Sequence, residues 1–451
     1  MSGLTLADRV VELVRRRAGS AAEAEVMVHS AAEALTRFAN SAIHQNVAED
    51  TTTVWLRLHA DGRTAAGSTT MTGAAGLESL VDRTIAAARL SPPEPGWPGL
   101  TAPTPLALGN GAGPDEATAH ASAADRAARV RDFVRAAGGL ETAGYCRTSS
   151  VSAAFANSAG QSVEGRTAEA AMDGIARTGG ADGVARQAVG RLADLDGAAL
   201  GTQAAAKARA GVRAVELPPG RYEVVLEPCA VADVLANLAW FGFNGKAFAE
   251  RQSFAELGTA QFDRAVTLID EPLGHGGEPA PGLPFDMEGT PRSAVTLVRA
   301  GTTAAVAHDR RSAAEAGASS TGHASPWSRT WGPMATHLRL EPSGTAPAAL
   351  ITAMGRGLLI TDFWYTRVLD QKSLVVTGLT RNGVWLVEDG EVTSAVTNLR
   401  FTQSYPHALG PGAVRGIGST AVALPARWPG GRCTTPALHL ASWNVTGNAS
   451  G

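Results

Sequence analysis

The stretch Arg221-Tyr-Glu-Val-Val-Leu226, then Glu-Pro-Cys, then Ala230-Val-Ala-Asp-Val-Leu-Ala-Asn-Leu-Ala-Trp-Phe241 is where the chain changes character. The first six residues read as a short strand opened by Pro218-Pro219-Gly220, and Ala230–Phe241 reads as a helix stopped near Gly242. Beyond Gly245 short apolar runs alternate with turns: Ala265–Ile269, Ala294–Arg299, His337–Leu340, Gly357–Phe363, Ser373–Leu379, Gly383–Glu388 and Glu391–Val396. Asn382-Gly383 and Asp389-Gly390 carry hairpin chemistry at that spacing. Residues 216–451 therefore read as a mainly antiparallel β-domain with one prominent helix near its start.

Upstream the periods mix. Leu6, Val10, Leu13 and Val14 form a helical stripe over residues 5–17, with Thr5 and Asp8 placed as a capping box. Ala24–His29, Ala34–Phe38 and Thr51–His59 are strand-like, Asp61-Gly62 is a hairpin turn, and Gly76–Leu90 is a second helix. Prolines at 92, 93, 95, 98, 103, 105 and 114 make residues 91–116 a loop or linker. A helical pattern returns at Ala117–Ala137, a hairpin at Gly144–Val163, and an alanine-rich helical stretch at Val184–Gly211. Phe38-Ala-Asn-Ser-Ala42 recurs as Phe155-Ala-Asn-Ser-Ala159, which is either a common turn used twice or the trace of two related substructures. The fold class expected is α+β: an N-terminal α/β region (1–90 and 117–215 flanking the linker), followed by the antiparallel β-domain.

With 39 Lys and Arg against 42 Asp and Glu the net charge is −3, which argues against nucleic-acid binding by bulk electrostatics. No run of apolar residues is long enough to cross a membrane, and the start lacks a secretory pattern. Three scattered cysteines, Cys146, Cys229 and Cys433, point to a reducing, cytoplasmic setting. A 451-residue chain with 44% apolar content can bury large cores.

Few residues announce chemistry. No histidine is followed by glutamate, so no HExxH or HExxxH pair exists; there is no CxxC, no P-loop and no GxSxG elbow. His275 lies in a glycine-rich loop; His323 and His337 read as loop or surface histidines. Cys229 opens a helix, a position where a dipole can activate a thiol, although a buried structural cysteine is the commoner case. Asp286 and Glu288, two apart, present a carboxylate pair on one side of an extended segment, set against a reading as a solvated turn. Asp362, Trp364 and Tyr365 concentrate aromatics beside an acid, suited to a peptide groove or to a sheet core. Trp327, Trp331 and Trp385 add to these, as interface or core.

Taken in order, several segments resemble the TldD/PmbA proteins, also called modulators of DNA gyrase. Leu35-Thr-Arg-Phe-Ala-Asn-Ser41 with Ile43-His-Gln-Asn46 resembles the family's N-terminal signature, and Phe285-Asp-Met-Glu-Gly-Thr-Pro291 its Asp-x-Glu-Gly segment. Ser320-Thr-Gly-His323 resembles its Thr-Gly loop; Gly357–Tyr365, Arg381–Gly390 and Asn398–Ser404 resemble its C-terminal hairpins. The resemblance implies a heterodimeric metallopeptidase. Its TldD-like subunit binds zinc through an HExxxH helix and a cysteine, and its TldE/PmbA-like subunit lacks the ligands. Here the corresponding helix, Ala230–Phe241, holds neither histidine nor glutamate. The chain is therefore expected to be the metal-free partner, with no catalytic or metal residue of its own. Zinc is expected in a TldD-like homologue, an extended peptide as substrate, and a homodimer when the chain is alone. Asp286, Glu288, His323, Asp362, Trp364 and Tyr365 are the expected peptide-channel residues. The alternatives are a stand-alone hydrolase or a regulatory binding protein.

Overall fold

The computed structural model describes residues 2–107, 111–426 and 431–449. Helix α1 (Gly3–Ala18) is capped by Ser2, whose hydroxyl accepts from Thr5 N–H; the Thr5/Asp8 box does not form, because the helix begins one turn earlier. Strands β1 (Glu23–Ala39), β2 (Ala42–Ala60) and β3 (Arg63–Thr69) follow, then α2 (Ala74–Leu90). β1 runs straight through Ser30–Glu33 and joins the two expected strands Ala24–His29 and Ala34–Phe38 into one. Neighbours on both sides, β2 and β4, pair this Ser-Ala-Ala-Glu stretch, which has little strand propensity of its own.

The same order then repeats. After a short α3 (Glu116–Ala119), α4 (Ala123–Ala136) leads into β4 (Glu141–Asn157), β5 (Ser162–Thr178), β6 (Ala181–Val189) and α5 (Gly197–Ala210). All six strands form one antiparallel sheet in the order β3-β2-β1-β4-β5-β6, so β1 and β4 are central and the two α-β-β-β-α units meet across them. The repeated Phe-Ala-Asn-Ser-Ala thus marks equivalent hairpins in two related substructures. The turns themselves differ: Asn40 and Ser41 both take positive φ, whereas Asn157 Oδ1 accepts from Ala159 and Gln161 N–H. Val184–Gly211 is not one helix. Its first part is β6, paired to β5 from Ala170↔Val189 to Thr178↔Ala181, because sheet pairing overrides alanine's helical preference.

Alternation along β1 assigns the faces. Ala24, Val26 and Val28 pack with Val10, Leu77 and Leu80 of α1 and α2, and Phe38 packs with Val130 and Phe133 of α4. These share parity, so all four long helices cover one face. Met27, on the other face, packs with Phe155, Val163 and Phe285, and there the C-terminal half docks.

That half opens with β7 (Gly220–Leu226) and α6 (Pro228–Asn237), whose last turn widens so that Phe243 N–H bonds Leu238 C=O. β8 (Leu268–Asp270), β9 (Val295–Arg299), β10 (Thr302–Thr303), β11 (His337–Leu340), β17 (Val422–Leu424) and β18 (Arg432–Thr435) form one sheet. β12 (Arg356–Asp370), β13 (Val375–Glu388), β14 (Glu391–Ala395), β15 (Leu399–Ser404), β16 (Val414–Ile417) and β19 (Leu438–Asn448) join β7 in the other. There β12 pairs with both β7 and β13, so β12-β7-β19-β15-β13 closes into a ring. Pairing is antiparallel except for β7–β12 and β11–β18. Asp389-Gly390 makes the β13–β14 hairpin as expected. Asn382-Gly383 is no hairpin: it bulges within β13 opposite Thr361, with φ of 58° and 130°.

Trp443 is fully buried inside the ring, its indole stacked on Phe363 at 5.1 Å and tilted against Phe401 at 5.3 Å. Trp443→Ala should cost roughly 3–5 kcal/mol in denaturant unfolding. Trp327→Ala, at a site 48% exposed, should stay within about 0.5 kcal/mol.

Candidate functional site

Helix α6 lies between the two C-terminal sheets. Its apolar stripe, Val231, Val234 and Leu235, enters the core. The opposite stripe, Cys229, Ala232, Asp233, Ala236 and, past the wide turn, Trp240, lines a cleft of about 740 Å3 counted to its open mouth. The spacing follows the helical repeat, and the alanines leave the floor open. Arg186 of β6 and Cys433 of β18 face the same cleft, with Cys433 Sγ 3.9 Å from the Ala232 carbonyl. Cys229, expected as a buried structural thiol, is only half-buried here.

Asp233 is held from three directions: Thr366 Oγ1 donates to Oδ2 at 2.9 Å, while Tyr405 O–H and Asn237 Nδ2 reach Oδ1 at 3.2 Å. Burial, then the Asp233 charge, pushes the Tyr405 hydroxyl well up, so it remains a donor. Arg186 donates to Asp362 Oδ2 at 2.6 Å and Asp173 Oδ2 at 2.7 Å, tying the N-terminal sheet to β12 at the edge of the cleft. Asp362 is fully buried. Trp364 and Tyr365 follow on an irregular, exposed part of β12, under Arg381 at 5.4 Å and Arg367 at 5.3 Å, with Tyr365 at φ 56°. Thr366, bonded to Asp233, connects that segment to α6. Trp327 and Trp331 are exposed, Trp331 lying 6.5 Å from Trp240, whereas Trp385 is buried and donates to Ala210 C=O.

Asp286 and Glu288 sit elsewhere, where the two halves meet. The segment is buried, not a solvated turn. Asp286 Oδ1 accepts from the N–H groups of Glu288 and Thr290, and Oδ2 accepts from Ala324 N–H at 2.8 Å, so its carboxylate folds the loop. Gly289 takes φ 69°, and a Cβ there would stand 2.2 Å from the Phe155 ring. Glu288 accepts from Arg57 at 2.8 Å and from Arg310 N–H at 3.0 Å. Arg57, on β2, also pairs with the buried Glu25 of β1. The proline-rich segment joins in: Thr101 donates to Glu288 C=O, and Arg310 reaches Pro98 C=O. His323 is buried with Nε2 3.0 Å from Asp270 Oδ2, and His337, which burial and then Arg292 push down to about 3, gives its backbone N–H to the same carboxylate.

The expected channel residues therefore fall at separate places: Asp362, Trp364 and Tyr365 beside the α6 cleft, Asp286 and Glu288 at the junction of the halves, and His323 on Asp270. The sequence reading missed Arg57, Arg186 and Asp270. Each is a lone charged residue in a strand, and only its partner far along the chain gives it meaning.

A family model described as the PmbA/TldA metallopeptidase C-terminal domain matches residues 219–447. A second, for domain 1 of the same metallopeptidases, matches residues 24–88. The chain belongs to the PmbA/TldD family. TldE from Thermococcus kodakarensis shares its fold with a TM-score of 0.87 at 16% identity, over 98% of this chain and 100% of that one. A candidate modulator of a DNA gyrase from Thermotoga maritima gives 0.82 at 17% identity, over 98% and 99%. Another from Bacteroides thetaiotaomicron gives 0.82 at 18% identity, over 98% of each. No curated protein matches the sequence. In this PmbA/TldD-family chain no helix among the described residues is long and apolar enough to cross a membrane.

The junction generates two expectations. Arg57→Ala leaves Glu25 and Glu288 buried without their counter-charge, and should lower unfolding free energy by roughly 3–5 kcal/mol, with Arg57→Lys in between. Burial pushes Glu25 up to about 7 against the pull of Arg57, so the folded chain holds a proton that the unfolded chain releases. This contribution to stability is present at pH 4 and lost as pH rises to about 7. Glu25→Gln should flatten that part of the pH–stability curve measured by urea unfolding.

Proposed function

We propose that this chain is the metal-free, TldE/PmbA-type subunit of a heterodimeric zinc metallopeptidase acting on extended or modified peptides in the cytoplasm. The observation that carries the reading is the cleft face of α6. Where a TldD-like subunit holds HExxxH, this chain offers Cys229, Ala232, Asp233, Ala236 and Trp240 along an open cleft. These residues do not fit a zinc ion. Both Asp233 oxygens are engaged by neighbours, and among the described residues no three His, Cys, Asp or Glu side chains are placed to hold a metal. The two thiols in the cleft, Cys229 and Cys433, do not alter this, because among the described residues they belong to no group of three such side chains placed for a metal.

On this reading zinc held by the partner's HExxxH helix would supply the Lewis acid for hydrolysis. This chain's residues hold and screen the peptide. The small side chains of α6 admit an extended backbone, Arg186 with its two carboxylate partners fixes one wall, and Trp240 with the exposed Trp331 supplies an apolar edge. The fold shared with TldE supports this assignment.

The test mixes this chain with an HExxxH-bearing homologue. Light scattering should give a mass of two chains, and hydrolysis of an unfolded polypeptide should require both. Ala236→Trp, filling the cleft, should lower turnover at least tenfold while leaving the pair assembled. Cleavage by this chain alone, or failure of the two to associate, would refute the proposal.

A further inference from the structure

A second concavity lies apart from the α6 cleft, between the helix-free face of the N-terminal sheet and the loops around Glu288 and Ser325. It encloses about 1180 Å3 counted to its open mouth. Its walls include Glu25, Trp55, Arg57, Glu94, Trp97 and Glu288.

Two carboxylates in this crevice are half-used. Glu25 is 4% exposed; its Oε1 pairs with Arg57, while Oε2 is buried and has no hydrogen-bond partner. Glu94 receives Arg311 on Oε1 at 2.7 Å, the Thr64 hydroxyl and Arg329 also act on this carboxylate, and its Oε2 is buried with no partner within hydrogen-bond distance. Burial keeps Glu25 protonated up to about pH 7, and an ammonium arriving at Oε2 displaces that proton; the ionised carboxylate then only accepts, so each empty oxygen is a place for a donor. The resident cations are committed elsewhere: Arg57 to Glu25 Oε1 and Glu288, Arg311 to Glu94 Oε1 and Glu315. Arg329 is exposed at the mouth.

The aromatic walls add a second preference. Trp97 is fixed by its Nε1–H to Glu23 at 2.6 Å and by stacking on His59 at 4.6 Å, and it already carries the Arg57 guanidinium 5.1 Å from its centroid. Trp55 is steadied by an edge contact with His29 at 5.7 Å. Indole faces attract cations most strongly where water is excluded. A divalent metal needs several converging oxygens, and among the described residues no group of three ligands is placed for one. A primary ammonium is compact, brings three N–H donors and tolerates an aromatic wall.

We propose that this crevice binds a primary ammonium group, which donates to Glu25 Oε2 and Glu94 Oε2 with its alkyl stem against Trp55 and Trp97. The site stands independently of the peptidase-subunit reading, because it shares no wall with the α6 cleft. The group comes either from a lysine side chain of a bound peptide or from a free alkyl diamine.

Isothermal titration calorimetry on the full chain separates these. N-acetyl-lysine methylamide or 1,5-diaminopentane should bind with Kd below about 1 mM. The uncharged N-acetyl-norleucine methylamide should bind at least tenfold more weakly. Binding confined to the lysine derivative assigns a peptide; binding confined to the diamine assigns a free amine; both outcomes support the site. Glu25→Gln and Glu94→Gln should each weaken binding at least tenfold. Glu94 lies on an irregular segment, so that variant keeps the test open if Glu25→Gln fails to fold. Absence of binding by both ammonium probes, equal binding of the norleucine derivative, or undiminished affinity in Glu94→Gln would overturn the proposal.

Discussion

One guanidinium, Arg57 on β2, stands between Glu25 of its own sheet and Glu288 of the C-terminal half. Both carboxylates are buried, so the three groups are stable only together, and the relative placement of the two halves follows from that constraint. The loop bearing Glu288 is stiffened in turn by Asp286, which accepts three backbone N–H groups, and by Gly289, whose missing side chain lets Phe155 close over it. A second tie, Arg186 to Asp362, joins the same sheet to β12 at the border of the α6 cleft.

These ties explain why the cleft has its shape. Five strands close into a ring around Trp443, Phe363 and Phe401, which makes β12 and β7 a firm wall. Helix α6 is pressed between that wall and the second sheet by its valine and leucine stripe, leaving its alanine stripe turned to the cleft. Arg186 reaches this place because β6 ends the N-terminal sheet on the side where it meets the C-terminal half. The cleft is therefore a product of both halves, although its helix belongs to one.

Much of the fold was legible where local chemistry and tertiary context agree. Asp61-Gly62 and Asp389-Gly390 turn hairpins, and the stripes of α1 and α2 lie where the periodicity places them. Reading failed where pairing overrode local preference: β6 is alanine-rich, β1 crosses the weakly strand-forming Ser30–Glu33, and Asn382-Gly383 bulges because Thr361 faces it within a longer pair. The recurrent Phe-Ala-Asn-Ser-Ala was the one visible trace of the internal repeat, since the two units otherwise share pattern and not residues. At the sites the motif around Asp286 and Glu288 was legible as a unit, but its partner Arg57 lies 231 positions away. Likewise Asp362 was noticed for its aromatic neighbours, while its bond to Arg186 spans 176 positions. Partnerships of that length have no local signature.

The central claim is that this chain shapes and guards a peptide cleft without holding the metal. It is tested most directly by native mass spectrometry of the assembled pair, followed by gentle dissociation and metal analysis of each chain. The account predicts one zinc per pair, leaving with the HExxxH-bearing chain, and none on this one. Zinc that remains bound to this chain after separation would contradict it.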